Sequence, residues 1–432
     1  MNRSLVDDRL DSETTFESPL TAAQRAALVR DLCAHAVPLR TVHAGSGFDD
    51  LTALDRLIGD ARIVALGEAT HGTAEFFQMK HRLVEYLVEK KGFTVFAIEG
   101  NWPEAQVADR LIKTGEGDAA TALAAMYYWT WQTQEVAGLL HWMRQYNVTR
   151  GERAILSFAG FDMQVPKVAI NRVIDCLDRI GSAAREATRE LYGGMEKLDK
   201  WGTGTPPEEN RRLADRASMA LDLIEGQREA LAQALAPEEY RDIRQAARIV
   251  LQVFERRAGI IDRDRAMAEN VRWLVEEAFP GQKIVVWAHN SHIGTDIGCD
   301  QKNLGNHLRD RYGDQMVTIG FATHHGAVRA RRSVEEGTKP GPLGAMPLAP
   351  ASGSSVEALF QELGMPRFIL DLRGLPKDGA ASAWLAETRS HRIIGAVYDP
   401  EEDAQYYAQM RLSEMYDSIV FISESTAAKP LK

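Results

Sequence analysis

The clearest fold signal in the sequence is the stretch ARIVALGEATHGTAEFFQMKHRLVEYLVEKKGFTVFAIEG, at residues 61–100. The apolar and β-branched runs at 61–68 and 93–100 are short and do not alternate with polar residues, as in strands buried on both faces. Between them, apolar residues recur at helical spacing from Thr73 until Gly92, which ends the helix. The stretch therefore predicts two parallel strands joined by a helix.

The same pattern continues along the chain in RAILSFAGFD (153–162), KIVVWAHN (283–290) and MVTIGFATHH (316–325). Residues 166–280 carry almost no strand signal and predict long helices. Three later strand candidates are RFILDLRG, HRIIGAVY and DSIVFISES. We expect an α/β protein with a largely parallel central sheet, flanking helices, a helical insertion domain and a mixed C-terminal sheet portion.

The changes in pattern predict four parts. They are an N-terminal helical lead-in (1–46), a first part of the α/β core (47–165), the helical insertion (166–280) and a second part of the core (281–432). A ligand site in such a fold belongs to the core, because ligands bind beyond the carboxyl ends of the sheet strands.

The composition of the 432 residues is that of an ordinary globular protein, with 45% hydrophobic and 26% charged residues. A net charge of −10 argues against nucleic acid or an anionic membrane as partner. Cys33, Cys176 and Cys299 form no CxxC pair, which argues against a disulfide framework or a structural zinc site. Without a signal peptide or a membrane-spanning apolar run, we expect a soluble, cytoplasmic protein of unknown oligomeric state.

Acidic and histidine side chains follow the predicted strands. They are Glu68 and His71, Glu99, Asp162, His289 and His292, and His324 and His325. Unpaired buried carboxylates are unfavourable, so Glu68 and Glu99 require a His, Arg, Lys or metal partner. For Asp162, turn chemistry or helix capping is an equal alternative.

The spacing in GEATHGT (67–73) places Glu68 and His71 three residues apart on one turn. His71 is suited to act as a general base, with the carboxylate fixing its tautomer and raising its basicity. The chain has no GxSxG elbow, no P-loop, no GxGxxG after the first strand and no HExxH. Activated water, with or without a metal, remains as the natural nucleophile.

Several ordered segments carry a family resemblance: LGEATHGTAEFF, FAIEGNWPEA, LLHWMRQYN, GFDM, VVWAHNSHIG and IIGAVYDPEEDAQYY. Over residues 47–428 the chain resembles the erythromycin esterase family, whose members also carry the label succinoglycan biosynthesis protein. The resemblance implies hydrolysis of a cyclic or linear carboxylic ester, macrolide lactones in the named members, without a serine nucleophile.

The resemblance also implies roles for individual residues. His71 activates water beside Glu68, Glu99 is the acid of the second strand, and His289, with His292 beside it, is the histidine of the AHNSH segment. Lys80 stands where macrolide-cleaving members usually carry Arg, and it supplies a point charge instead of a planar fork.

The remaining predictions concern substrate binding. Lys80, His292, Asp162, Trp129 and Tyr128 are predicted to bind substrate, with aromatic core packing as the alternative for the last two. His289 and Lys80 would stabilise the oxyanion or protonate the leaving alcohol.

Three functions follow in order of preference. The first is an esterase-like hydrolase acting on a small-molecule ester or lactone without a cofactor. The second is a hydrolase in which Glu68, His71, Glu99 and His289 bind a divalent metal. The third is a ligand-binding or polysaccharide-biosynthesis accessory protein without catalysis.

Overall fold

The computed structural model describes residues 20–150, 155–198, 204–295, 302–333 and 341–431. Residues 1–19 of the predicted lead-in and Cys299 lie outside the described residues.

The strands are β1 (Ala36–Pro38), β2 (Ile63–Leu66), β3 (Phe93–Asn101), β4 (Ser157–Asp162), β5 (Lys283–Trp287), β6 (Met316–Arg332), β7 (Leu343–Leu348), β8 (Arg367–Asp371), β9 (Thr388–Arg392), β10 (Val397–Tyr398), β11 (Tyr407–Arg411) and β12 (Ser418–Ser425). The helices are α1 (Ala22–His35), α2 (Leu54–Ile58), α3 (Ala74–Lys91), α4 (Trp102–Thr114), α5 (Ala119–Ala125), α6 (Gln134–Arg150), α7 (Lys167–Arg179), α8 (Arg185–Tyr192), α9 (Pro207–Gly226), α10 (Arg228–Ala234), α11 (Pro237–Arg257), α12 (Arg263–Trp273), α13 (Asn290–Ile293), α14 (Leu304–Tyr312), α15 (Val356–Gln361), α16 (Ala380–Ala386) and α17 (Leu412–Met415).

The chain forms two compact units. Unit 1 comprises Met1–Phe93, Gln132–Leu139 and Val285–Lys432, and unit 2 comprises Thr94–Trp131 and Leu140–Ile284. The four-part division predicted from the sequence stays a prediction.

Unit 1 is built on a sheet with the strand order β1-β8-β12-β6-β2-β5. Strand β6 pairs in parallel with β2 on one side and with β12 on the other. Strand β8 runs antiparallel to β12 and β1, and β7 runs antiparallel to β6. A separate antiparallel pair joins β9 and β11. The α/β class, the largely parallel sheet and its mixed C-terminal portion are therefore confirmed.

Unit 2 contains the parallel pair β3 and β4, with Val95 opposite Ser157. The pairing shifts between Ile98 and Asn101, and a Cβ at Gly160 would lie 2.3 Å from the carbonyl oxygen of Gly100. Glycine is thus required where the two backbones approach closely. After β4, helices α7 to α12 form most of the unit, and α11 packs against α9 and α7.

The local signals in the first motif explain helix α3. Thr73 is its N-cap residue, and Gly92 ends it in the left-handed region with a φ of 74°. Residues Phe76, Phe77 and Leu83 of the predicted apolar face are buried. In the described part of the chain, no helix combines the length and apolar character that a bilayer crossing needs.

Two local predictions are wrong. Strand β6 continues to Arg332, so His324 and His325 lie within the strand instead of at its end. The segment HRIIGAVY does not form one strand, because the Ile394 N–H donates to the carbonyl of Ala69 and the chain leaves the β9 and β11 pair there.

Candidate active site

The loop after β2 is held by contacts that only glycine permits at two positions. A Cβ at Gly67 would lie 2.1 Å from Oδ1 of Asn290, and one at Gly72 would lie 1.9 Å from the carbonyl oxygen of Arg329. The Asn290 N–H donates to the carbonyl oxygen of Glu68 at 2.8 Å. The two glycines of GEATHG therefore let this loop pack against the AHNSH segment and β6.

Glu68 is fully buried and receives three side-chain hydrogen bonds within unit 1. Its Oε1 is 2.6 Å from Nδ1 of His71, and its Oε2 accepts from the indole N–H of Trp287 at 2.8 Å. The Lys80 ammonium donates to the same Oε2. These partners supply what a buried carboxylate requires, as the sequence predicted for Glu68.

Lys80 is itself fully buried, in a box of aromatic rings. Its Nζ lies 3.8 Å from the centroid of a Trp287 ring, 5.5 Å from that of Phe77 and 5.7 Å from that of Phe321. Ring faces attract a cation, and the Glu68 carboxylate neutralises it. The Lys80 ammonium is therefore paired with Glu68 and shielded from bulk water by aromatic rings.

The charge of Glu68 follows from these contacts. Burial alone would raise the pKa of Glu68, but the positive charge of Lys80 and the hydrogen bond from His71 outweigh it and lower the pKa. Glu68 is therefore ionised at neutral pH.

An ionised Glu68 fixes the tautomer of His71. Since a carboxylate only accepts hydrogen bonds, Nδ1 of His71 carries the proton that it donates to Oε1, and Nε2 is the basic nitrogen. The His71 side chain is 14% exposed, whereas that of Glu68 has no exposure. The imidazole is thus the member of the pair that solvent reaches.

His289 lies beside His71, with ring centroids 4.7 Å apart. Its Nε2 is 3.0 Å from the carbonyl oxygen of Ile394, an atom that can only accept, so Nε2 carries the proton. Its Nδ1 is 2.8 Å from the Ser291 hydroxyl and accepts there. His292 lies in the short helix α13, with its ring 6.5 Å from that of His289. The structure therefore brings His71, Glu68, Lys80 and His289 together in unit 1.

Unit 2 contains a second charged cluster. The Arg263 guanidinium donates to Oε1 of Glu99 and to Oδ2 of Asp162, each at 2.7 Å. Burial alone would lower the pKa of Arg263, but the charges of Asp162 and Glu99 raise it. Glu99 thus has an Arg partner, one of the alternatives predicted from the sequence. Asp162 also accepts from the side chain of Gln164 at 2.6 Å.

The aromatic segment predicted to bind substrate also belongs to unit 2. Tyr128 and Trp129 are half-buried, and burial raises the pKa of Tyr128. Tyr127 before them has a φ of 67°, a strained value for a bulky residue. The substrate-binding role of Tyr128 and Trp129 stays a prediction.

Glu104 in the same unit was missed by sequence reasoning. It is buried, and neither carboxyl oxygen has a hydrogen-bond partner among the described residues. Burial, with the negative charge of Asp162, raises its pKa to about 8. Its position in the NWPEA segment was the available sequence signal.

Trp287 and Arg263 were also missed. Trp287 directly precedes AHNSH, so its place beside the motif was visible, but its bond to Glu68 depends on β2 and β5 being neighbours. Arg263 begins a helix in a region without a recognisable motif. Within the described residues, no three His, Cys, Asp or Glu side chains are grouped so that they could hold a metal ion.

A sequence-family model for erythromycin esterase matches residues 88–425. The chain is 24% identical to the protein YbfO of Bacillus subtilis (strain 168), named as a hydrolase, with 92% of this chain and 91% of that protein covered. It is 26% identical to erythromycin esterase type II of Escherichia coli, with 79% of this chain and 88% of that protein covered.

Solved structures share the fold. A Bacillus cereus protein matches with a TM-score of 0.83 and 28% identity, over 96% of this chain and 100% of that one. A succinoglycan biosynthesis protein matches with a TM-score of 0.81 and 25% identity, over 95% of this chain and 100% of that one. A mutant erythromycin esterase in its open conformation is 18% identical and shares the fold with a TM-score of 0.69, over 89% of this chain and 96% of that one. The chain therefore belongs to the erythromycin esterase family of hydrolases.

Proposed function

We propose that the protein hydrolyses a carboxylic ester or macrolactone with water activated by His71. The observation that carries the proposal is the 2.6 Å contact between Nδ1 of His71 and Oε1 of a buried, ionised Glu68. In this arrangement Nε2 of His71 takes a proton from water, the water oxygen attacks the ester carbonyl, and Glu68 stabilises the resulting imidazolium. Collapse of the tetrahedral intermediate, with a proton from His71 or His289, releases the alcohol and leaves the acid.

Lys80 and His289 support this chemistry in different ways. Full burial of Lys80 against Glu68 favours keeping Glu68 ionised over direct contact with the oxyanion. His289 lies close enough to His71 to contact the same substrate, although in this conformation its Nε2–H is bonded to Ile394. We propose oxyanion stabilisation or protonation of the leaving alcohol as its role, which requires release of that bond.

We propose macrolactones as the first substrates to test, because two relatives are named erythromycin esterase. The substrate-binding roles of His292, Asp162, Trp129 and Tyr128, and the catalytic role of Glu99, stay predictions.

The central experiment compares wild type with His71→Ala and His71→Gln on a panel of macrolactones and aryl esters. We expect both variants to lose hydrolysis and to retain the circular dichroism spectrum of the wild type. His43→Ala is the matched control, because His43 is exposed and lies outside the cluster. Full hydrolytic rate in His71→Ala would contradict the proposal.

Rapid-mixing kinetics with substrate in excess over enzyme separates direct attack from a covalent route. Direct attack by water releases the alcohol and the acid together, without a prior burst of alcohol. A burst of alcohol would indicate an acyl-enzyme instead.

Metal-dependent hydrolysis, with Glu68, His71, Glu99 and His289 as ligands of zinc or manganese, is the second candidate from the sequence, although the described residues contain no grouping of three such ligands. Elemental analysis of protein purified without added metal tests it. A stoichiometric metal, together with loss of hydrolysis on chelation, would favour this candidate.

The third candidate is a binding protein without catalysis. Absence of hydrolysis in wild type and His71→Ala alike, with retained binding of a panel compound, would favour it.

A further inference from the structure

A second histidine–carboxylate pair lies in unit 1, outside the predicted site. Nδ1 of His391 is 2.6 Å from Oε1 of Glu357, and neither side chain has any exposure. The same Oε1 accepts from the backbone N–H of Arg392 at 2.8 Å. Glu357 thus holds both the ring and the backbone of this part of β9.

The other nitrogen of His391 faces the AHNSH segment. Nε2 lies 3.4 Å from Nδ2 of Asn290. The backbone of Phe321 fixes the orientation of that amide, because its N–H donates to Oδ1 at 3.2 Å and its carbonyl accepts from Nδ2 at 2.7 Å. Nδ2 is therefore a donor, Nε2 of His391 accepts, and Nδ1 donates to Glu357.

Asn290 connects His391 to the candidate active site. Its backbone N–H donates to the carbonyl oxygen of Glu68 at 2.8 Å. The space for its side chain exists because residue 67 is glycine. A displacement of Asn290 would move the residue that orients His71.

A second connection runs through the backbone after His391. The Ile394 N–H donates to the carbonyl of Ala69 at 2.7 Å, in the GEATHG loop. The Ile394 carbonyl accepts from Nε2 of His289 and so sets the tautomer of that ring. The segment 391–394 contacts both motifs of the candidate site.

We propose that Glu357 and His391 are positioning residues, which hold Glu68 and the loop that carries His71 in their working orientation through Asn290 and Ile394. This inference rests on the proposed function, in which His71 and Glu68 carry the chemistry. Outer residues that orient reacting groups contribute through geometry, so their loss lowers turnover more than substrate binding.

The test uses two replacements of His391 that each preserve one half of its bonding. The amide of His391→Gln reaches the position of Nε2 and offers Asn290 an acceptor. The amide of His391→Asn overlaps Nδ1, preserves a donor to Glu357 and leaves Asn290 without its acceptor. We expect His391→Asn to lower kcat about 10- to 100-fold with little change in KM. We expect His391→Gln, which keeps the acceptor for Asn290, to retain more of the wild-type kcat than His391→Asn.

Ser418→Ala is the structural control. The Ser418 side chain is buried and bonds to the carbonyl of Leu370, outside the catalytic loop. It should lower the midpoint of thermal unfolding without lowering kcat of the folded enzyme. A purely structural role for His391 would give the same result, with kcat of both variants unchanged once corrected for folded fraction, and would overturn the inference.

Asn290→Asp provides a second route if the His391 variants fold poorly. It keeps the shape of the side chain and removes the donor to His391, so kcat should fall as in His391→Asn; an unchanged kcat would count against the inference. Activity in His71→Ala would refute the proposed function. An inactive His71→Ala together with wild-type kcat in His391→Asn would refute this inference alone.

Discussion

The indole N–H of Trp287 donates to Oε2 of Glu68 across 2.8 Å, the oxygen that Lys80 also bonds. The tryptophan therefore has two functions, because its ring also faces the Lys80 ammonium. A single side chain stabilises both charges of a buried ion pair.

Trp287→Phe separates these functions, since phenylalanine keeps a ring near Lys80 and lacks the donor. A hydrogen bond to a charged group contributes about 1.5–3 kcal/mol, so kcat/KM should fall about 10-fold or more. Loss of a donor to the ionised form also raises the pKa of Glu68. Trp142→Phe is the control, and equal kcat/KM values for wild type and Trp287→Phe would contradict the prediction.

Lys80→Met leaves Glu68 buried without its main counter-charge. The free energy of unfolding at neutral pH should fall by about 3–5 kcal/mol, measured with urea. Adding Glu68→Gln should recover much of the loss, because the uncompensated charge is removed. Strictly additive effects in the double variant would mean that the two side chains are not coupled.

The same pair predicts the acid stability of the wild type. The pKa of Glu68 is lower in the folded protein than its ordinary value of 4.5. The pair therefore stabilises the fold above that pH, and the contribution is lost as the pH falls through the folded pKa. In Lys80→Met, the free energy of unfolding should fall less on acidification than in the wild type, or should rise. Urea unfolding measured across acid pH tests this.

Glu104 should make the free energy of unfolding depend on pH in the opposite direction. Its pKa rises from 4.5 to about 8 on folding, so between these values the unfolded chain binds fewer protons than the folded one. The free energy of unfolding should then decrease by about 1.4 kcal/mol for each pH unit in this interval. Glu104→Gln should remove this slope and be more stable than wild type above pH 8. Exposed Glu116→Gln should leave the slope intact, and an unchanged slope in Glu104→Gln would refute the assignment.

Gly72→Ala tests the packing of the loop after β2. The new Cβ would lie 1.9 Å from the Arg329 carbonyl oxygen, so backbone must move, at a cost of about 1–3 kcal/mol or more. Gly138→Ala is the matched control in helix α6, where a Cβ meets nothing within 4 Å, and it should stabilise by about 0.5–1 kcal/mol. Thermal unfolding measures both, and equal midpoints would count against the packing argument.

The parts of the fold that sequence predicted are those governed by short-range rules. Strand patterning, helical spacing and Gly92 determined β2, α3 and β3. Glu68 and His71 are three residues apart, so one turn was enough to predict that they meet.

The rest depends on strand pairing between distant segments. Trp287 is 219 residues from Glu68, and their bond exists because β2 and β5 are neighbours in the sheet. The Ile394 N–H donates to the carbonyl of Ala69, although the apolar pattern of HRIIGAVY predicted an unbroken strand there. Apolar periodicity reports which face is buried and carries no information about which distant carbonyl a side chain will meet.

The contact of segment 391–394 with the loop after β2 also bears on protein synthesis. A nascent chain that has reached β6 already contains GEATHG, Lys80, Trp287 and AHNSH, but it lacks the carbonyl that fixes His289 and the strand β12 that covers β6. Domains fold while the ribosome is still adding residues. His71 and His289 are therefore synthesised well before segment 391–394, so the contacts that this segment makes with the candidate site form late in translation.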